Sequence, residues 1–212
     1  MSTTRRKYAR RLPPEQRREQ LLDAALALIP AGFDTVTMES VAKQAQVTKP
    51  VLYDLFANRA SLIGALLERE AARATEQVLA ALPTDFATRS PDDAFADAVR
   101  VFVHAVVEAP ARWRLVLLPP EGTPREFRAQ VELVRAGVLA QIEDLAALGL
   151  KELRRKGTGG LDDLDSELLG HAMLALAEMS GRLVLTGPDK FTPDRLVAFV
   201  SRVAHGLSTS RR

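Results

Sequence analysis

The sequence predicts an all-α protein, and three observations carry that expectation. Apolar residues recur at i, i+3, i+4 and i+7 through most of the chain, the spacing of one helix face. Proline, glycine and threonine fall where helices start and stop. No alternating polar–apolar run persists long enough for a strand, and aromatic residues make up only 5% of the 212 residues. Hydrophobic residues at 47% and charged residues at 26% match an ordinary globular chain. That length supports one sizeable core or two modest ones.

The first helix is expected from Glu15 to about Pro30, with Leu22, Ala25, Leu26 and Ile29 inward. Pro13 and Pro14 precede it, where the missing N–H of proline costs nothing. Ala31-Gly32 ends it, because glycine accepts a left-handed backbone cheaply. A second helix starts at Thr37, whose hydroxyl suits an N-cap, with Glu39 complementing the helix dipole. Its inward face reads Met38, Val41, Ala42, Ala45. After Gln46-Val47, Thr48 offers a second N-cap, and Pro50 stands in the first turn of a third helix carrying Leu52, Tyr53, Leu55 and Phe56. Asn58 interrupts, and a long helix follows from roughly Ala60 to Leu82.

Beyond Pro83 and Pro91, which bracket a polar linker, four more long helices are expected: Asp92 to Ala109, Thr123-Pro124 to about Arg155, 162–186 and 193–207. A short segment, Ala111 to Leu118, and the loop Pro119-Pro120-Glu121-Gly122 lie among them. In the first of these, Phe95, Val99, Phe102, Val103 and Val106 point inward. No apolar run approaches the ~20 residues that span a bilayer, and no apolar core follows the basic N-terminus as in a secretory signal. No membrane association is expected. The chain has no cysteine, which removes disulfides and thiolate chemistry and makes the cytoplasm the default compartment. With three histidines, no metal site is expected; nor is a cofactor.

Charge is unevenly placed. The net charge is +2, yet the first twenty residues hold Arg5, Arg6, Lys7, Arg10, Arg11, Arg17 and Arg18 against Glu15 and Glu19. A basic arm on a mildly acidic body points to a polyanion at one end.

Two short amphipathic helices joined by a tight turn, with a longer helix ahead of them, make the layout of a helix-turn-helix, whose second helix enters the major groove. Val41, Ala42, Val47, Leu52 and Phe56 can form its core. Thr48, Lys49, Pro50, Tyr53 and Asp54 then face outward.

The run Thr37-Met-Glu-Ser-Val41-Ala42-Lys-Gln-Ala45-Gln46-Val47-Thr48-Lys49-Pro50-Val51-Leu52-Tyr53-Asp54-Leu55-Phe56-Ala-Asn-Arg59-Ala-Ser-Leu62 resembles the TetR family of transcriptional regulators. The resemblance spans about fifty residues and combines caps, core and a Tyr-x-x-Phe pair. It implies three parts: a basic arm over 1–12, a DNA-binding domain over 13–60, and a ligand-sensing and dimerisation domain over 61–212. It also implies roles. Thr37 and Tyr53 contact phosphate, Thr48 and Lys49 contact phosphate or base edges, Pro50 makes an apolar contact, and Arg59 meets the DNA backbone. Beside that motif, the charge of the arm itself gives Arg5, Arg6 and Arg10 an expected place along a minor groove or over phosphates. Tyr53 is expected to bury its ring and expose its hydroxyl.

Three positions depart from the family's pattern. Gln46 replaces a usual turn glycine, Arg59 replaces a usual lysine, and Asp54 stands where neutral or basic residues are common. Asp54 reads either as a solvent-facing acid, paired with Arg59 or not, or as an acceptor from a cytosine amino group.

The resemblance further implies a homodimer built on the last two helices, a palindromic operator on double-stranded DNA, and a small-molecule effector. Leu168, Leu169, Ala172, Met173, Leu176, Met179 and Leu183 are apolar on more than one face. In the last helix Leu196, Val200, Val203 and Leu207 form a stripe. Phe102, His104, Trp113, Phe127 and Met173 are the expected ligand contacts among the middle helices. An enzyme is not expected, since no phosphate loop, nucleophile elbow or zinc-helix motif is present. The competing reading is a helical interaction protein without specific DNA binding.

Overall fold

A computed structural model describes residues 12–83, 90–156 and 164–209; the arm residues Arg5, Arg6 and Arg10 lie outside them. The described residues are helical, with no strand among them. The order is α1 (Pro14–Leu28), two 3-10 turns (Ile29–Ala31 and Phe33–Thr35), α2 (Met38–Gln44), α3 (Lys49–Tyr53), α4 (Arg59–Ala81), α5 (Pro91–Glu108), α6 (Pro110–Leu117), α7 (Arg125–Lys156), α8 (Ser166–Thr186) and α9 (Pro193–Thr209). The chain divides into two compact units, 1–66 and 67–212, so the division falls inside α4, a little beyond the boundary expected at residue 60.

In the first unit, α1 stops at Leu28, earlier than the apolar spacing predicts. Two 3-10 turns flank Gly32, whose φ of 109° only glycine adopts readily. The hydroxyl of Thr35 donates to the carbonyls of Gly32 (2.7 Å) and Leu28 (3.0 Å) and ties the turns together. Phe33 and Val36 are thereby buried beside Leu21, Leu22, Ala25, Ile29, Val41, Leu52, Phe56 and Leu62. Val47, expected in this core, is only half-buried.

Thr37 caps α2 as its position predicts. Its Oγ1 accepts from the Ser40 N–H (3.0 Å), and the Ser40 hydroxyl oxygen accepts from the Thr37 N–H (2.9 Å), a reciprocal capping box. Asn58 and Ser61 make the equivalent pair at the start of α4. Thr48 differs. Its backbone is extended as an N-cap requires, but its hydroxyl makes no capping bond.

In the second unit, α8 is the hub, packing on α5, α6, α7 and α9. Val99, Val103, Val106, Trp113, Val184, Leu185, Leu196 and Val200 form the core. Two expected helix starts move. Thr123 is buried, and its hydroxyl donates to the Pro120 carbonyl (2.6 Å). It closes the Pro119–Gly122 loop and leaves α7 to begin at Arg125. The helix expected from 162 begins at Ser166, capped by Asp165, whose carboxylate accepts from the N–H groups of Glu167 and Leu168. By length and composition α8 is apolar enough to cross a membrane, contrary to the reading of its sequence. Its contacts with four other helices give the same apolarity a use inside the fold.

Glu70 on α4 is fully buried. Its carboxylate accepts from Arg69 Nε (2.7 Å) and from Arg112 Nε on α6 (2.7 Å), with Arg73 Nη1 at 3.8 Å. Arg112 Nη1 and the Trp113 indole N–H both donate to the Gln77 side-chain oxygen, at 3.0 and 3.1 Å. Buried charges persist only when paired and hydrogen-bonded in this way.

Candidate functional site

The turn between α2 and α3 positions the outward residues of the first unit. Gln46 holds φ +56°, so the turn keeps the left-handed backbone that glycine would adopt freely. The Val47 N–H donates to the Ala42 carbonyl (2.9 Å), and the Gln20 amide on α1 donates to the Ala45 carbonyl (2.9 Å). Leu52 and Phe56 seal the underside of α3, and the Arg18 guanidinium lies 4.8 Å from the centre of the Phe56 ring. The opposite side carries Thr48, Lys49, Pro50, Tyr53 and Asp54, all exposed.

The expected contacts fare differently one by one. Tyr53 is 52% exposed. The expectation that its ring is buried is therefore corrected: α3 ends at Tyr53, and one turn of helix has room to bury Leu52 but not its neighbour. Lys49 Nζ lies 3.2 Å from Glu39 Oε2, with both side chains largely in water. Such pairs contribute little and exchange readily for another anion. The Thr37 hydroxyl is engaged with Ser40 at the α2 cap. Arg59 donates from Nε to the Val36 carbonyl and from Nη2 to the Phe33 carbonyl, both at 2.6 Å. Two of its nitrogens thus brace the 3-10 turn, and the pairing with Asp54 weighed from sequence is not among its contacts.

The second unit holds a partly open cavity of about 340 Å³. Its walls are mostly apolar, with Phe95, Phe102, Trp113, Leu150, Met173 and Leu176 prominent. Phe102 and Trp113 meet edge to face, ring centres 4.9 Å apart. Of the residues expected to face a ligand, Phe102, Trp113 and Met173 line the cavity. His104 is exposed, because it lies beside, not on, the Val99–Val103–Val106 stripe that faces inward on α5. Phe127 is buried near the start of α7 but is not part of the cavity wall.

Sequence reading missed the charged part of the wall. Arg135 on α7 donates to Glu178 on α8 (2.6 Å), and Arg182 Nη2 lies 3.4 Å from the other oxygen of Glu178. The hydrogen bond that Arg135 donates to Glu178 raises the Arg135 pKa above its ordinary value against a smaller desolvation effect, with the charges of Glu178 and Glu132 adding to the rise. Forty-three positions separate Arg135 from Glu178, and no local pattern signals such a pair. Beside Arg182, Gly181 gives the wall its shape: a Cβ there would fall 2.7 Å from Leu117 Cδ1 and 3.1 Å from Phe102 Cε1.

A turn-linked helix pair with polar groups outward, and a separate helical unit around an apolar cavity, define a helix-turn-helix DNA-binding regulator with a ligand-sized chamber. Residues 21–66 match the model of the bacterial regulatory proteins of the tetR family. Residues 21–66 thus carry the DNA-binding domain of the TetR family of transcriptional regulators. Among curated proteins it is 26% identical over 197 residues to the HTH-type transcriptional activator FasR of Mycolicibacterium smegmatis, covering 92% of this chain and 84% of that one. A TetR-like transcriptional regulator from Rhodococcus sp. RHA1 shares the fold with a TM-score of 0.71 at 22% identity, over 92% of this chain and 97% of its own. AibR, solved in complex with isovaleryl coenzyme A and operator DNA, shares it at 0.66 and 17%, over 88% and 97%.

Proposed function

We propose that this protein is a cytoplasmic, ligand-responsive repressor that binds a palindromic operator as a homodimer and leaves it when a small molecule fills the cavity. The observation that carries the reading is the exposed set Thr48, Lys49, Pro50 and Tyr53 on α3, over an underside sealed by Leu52 and Phe56. Cationic, hydroxyl and aromatic groups fixed on a rigid short helix suit phosphates and base edges. Arg5, Arg6 and Arg10 extend the contact along the neighbouring groove.

One α3 reads only a few base pairs. Two copies related by a two-fold axis read two half-sites, hence a palindrome. The pairing surface proposed is the exposed apolar stripe Leu168, Ala172, Ala175 and Met179 on α8 with Phe199 and Val203 on α9. The effector is proposed from the cavity, and the coenzyme A thioester held by AibR supports a small organic ligand.

Selection of bound duplexes from a random pool tests the reading, with affinity falling steeply as salt rises. The expected outcome is one enriched sequence with two-fold symmetry. No enrichment favours the interaction-protein reading. Lys49→Ala combined with Tyr53→Ala is expected to weaken operator binding while the protein stays folded; unchanged affinity would overturn the docking of α3. The name of FasR as an activator supports a second mode, in which operator binding raises transcription. A reporter downstream of the selected site separates the two signs.

A further inference from the structure

We propose that Arg182 is the anion-binding residue of the cavity, taking the charged head of an elongated amphiphile whose apolar chain lies along α5 towards Pro91. The inference rests on the cavity being the effector site, and it names the class of molecule that fills it.

Shape comes first. The wall runs from Asp92 to Phe102 on α5 and from Leu169 to Arg182 on α8. At the helical rise of 1.5 Å per residue, these spans are roughly 15 to 20 Å. A volume of about 340 Å³ stretched over that length is a narrow channel. It suits a chain better than a compact ring system.

Charge comes second. Polar side chains are few along the channel. Thr75 uses its hydroxyl on the Ala71 carbonyl. Asp92, at the far end, lies 3.3 Å from His205 Nε2. The remaining charges gather where α7 faces α8: Arg135, Glu178, Arg182 and the exposed Glu132. Within this group Glu178 and Arg135 are tightly joined at 2.6 Å, and Glu132 adds negative charge on the Arg135 side. Arg182 has looser partners. Its Nη2 stands 3.4 Å from Glu178, its Nε donates to the Leu117 carbonyl at 3.3 Å, and its side chain is 46% exposed.

The consequence follows from solvation. A guanidinium does not lose its proton in a protein. An apolar occupant that covered Arg182 would strip its water and return nothing, which is costly. An occupant with an anionic group at that place replaces the lost water with a charge-assisted hydrogen bond. Glu178 stays with Arg135 throughout, so the ligand has no strong pair to break.

The test titrates the full-length protein with hexadecanoate, hexadecanoyl coenzyme A and hexadecanol, by displacement of a fluorescent apolar probe. At least one anionic ligand is expected to bind roughly tenfold or more tightly than the alcohol, the size of one charge-assisted hydrogen bond. Which anion gains distinguishes a carboxylate from the phosphates of a thioester's carrier. Arg182→Gln is expected to bring that ligand down to the level of the alcohol and leave the alcohol unchanged; Arg182→Lys is expected to restore part of the preference. An equal loss for all three ligands, or a preference that survives Arg182→Gln, overturns the assignment. Wild-type binding without any anion preference overturns Arg182 alone. Failure of all three to bind overturns the effector reading of the cavity as well.

Discussion

The proposed function puts the working parts of the two units on opposite sides of their cores. In residues 12–66 the core is small and filled, and the groups proposed to meet DNA stand outside it on α3 and around the α2 cap. In the unit from Leu67 onward the interior holds a cavity bounded by α4, α5, α7 and α8, which the proposed function makes the working part. A filled core holds a surface in place, whereas a hollow one leaves space that another molecule can occupy. The first arrangement suits recognition of a fixed shape, and the second suits sensing of a variable one.

The strongest way to break this comparison is to empty the filled core. Phe56→Ala is expected to cost about 3 to 5 kcal/mol, seen as a lower urea midpoint, and to abolish DNA binding. Binding of an apolar probe to the second unit is expected to persist; its loss would mean the two cores are not separate. Glu70→Gln probes the hollow unit in the same way. It leaves the Arg69 and Arg112 guanidinium groups without their buried anion, at a cost of about 3 kcal/mol or more. Here the probe's affinity is expected to fall, because Trp113 is tied into the same network and lines the cavity.

Smaller effects sharpen the contrast. Gln46→Gly relieves the left-handed backbone at the turn and is expected to stabilise the protein by about 1 kcal/mol, read as a higher thermal midpoint. The smallest expected effect is on pH dependence. Nδ1 of His205 stands 2.8 Å from the Ser201 carbonyl, and Nε2 faces Asp92 and Asp93. The hydrogen bond to Ser201, then the charge of Asp92, raises the His205 pKa above the usual 6.5. The folded state therefore binds the proton more tightly than the unfolded chain. This contribution is fully present below the unfolded value and fades as pH rises through the folded one. Thermal melts of His205→Asn between pH 6 and 8 are expected to show a shallower decline than wild type.

The first unit was largely legible because its signals are local. Thr37, Val41, Ala42, Leu52 and Phe56 announce cap, face and crossing within twenty residues, and the family resemblance falls on the same stretch. What escaped there depends on non-local bonds and on where α3 ends. Arg59 reaches carbonyls more than twenty positions away, and Tyr53 is exposed because α3 is only five residues long. In the second unit helix positions were legible, but the cavity was not. Phe102, Trp113 and Met173 line it as inward apolar residues tend to, whereas His104 turned on the phase of a single helix. Arg135, Glu178 and Arg182 became a group only through the packing of α7 on α8.

Gly181 gives that packing a consequence for how binding preferences can change. Because Leu117 and Phe102 press against the bare backbone of α8 at this residue, one methyl group at position 181 would drive both side chains toward the open lumen. The chamber could thus be retuned from behind its wall, with every residue that faces the occupant left as it is. A lineage, or an engineer, could shift the range of accepted molecules by a mutation that never touches any of them.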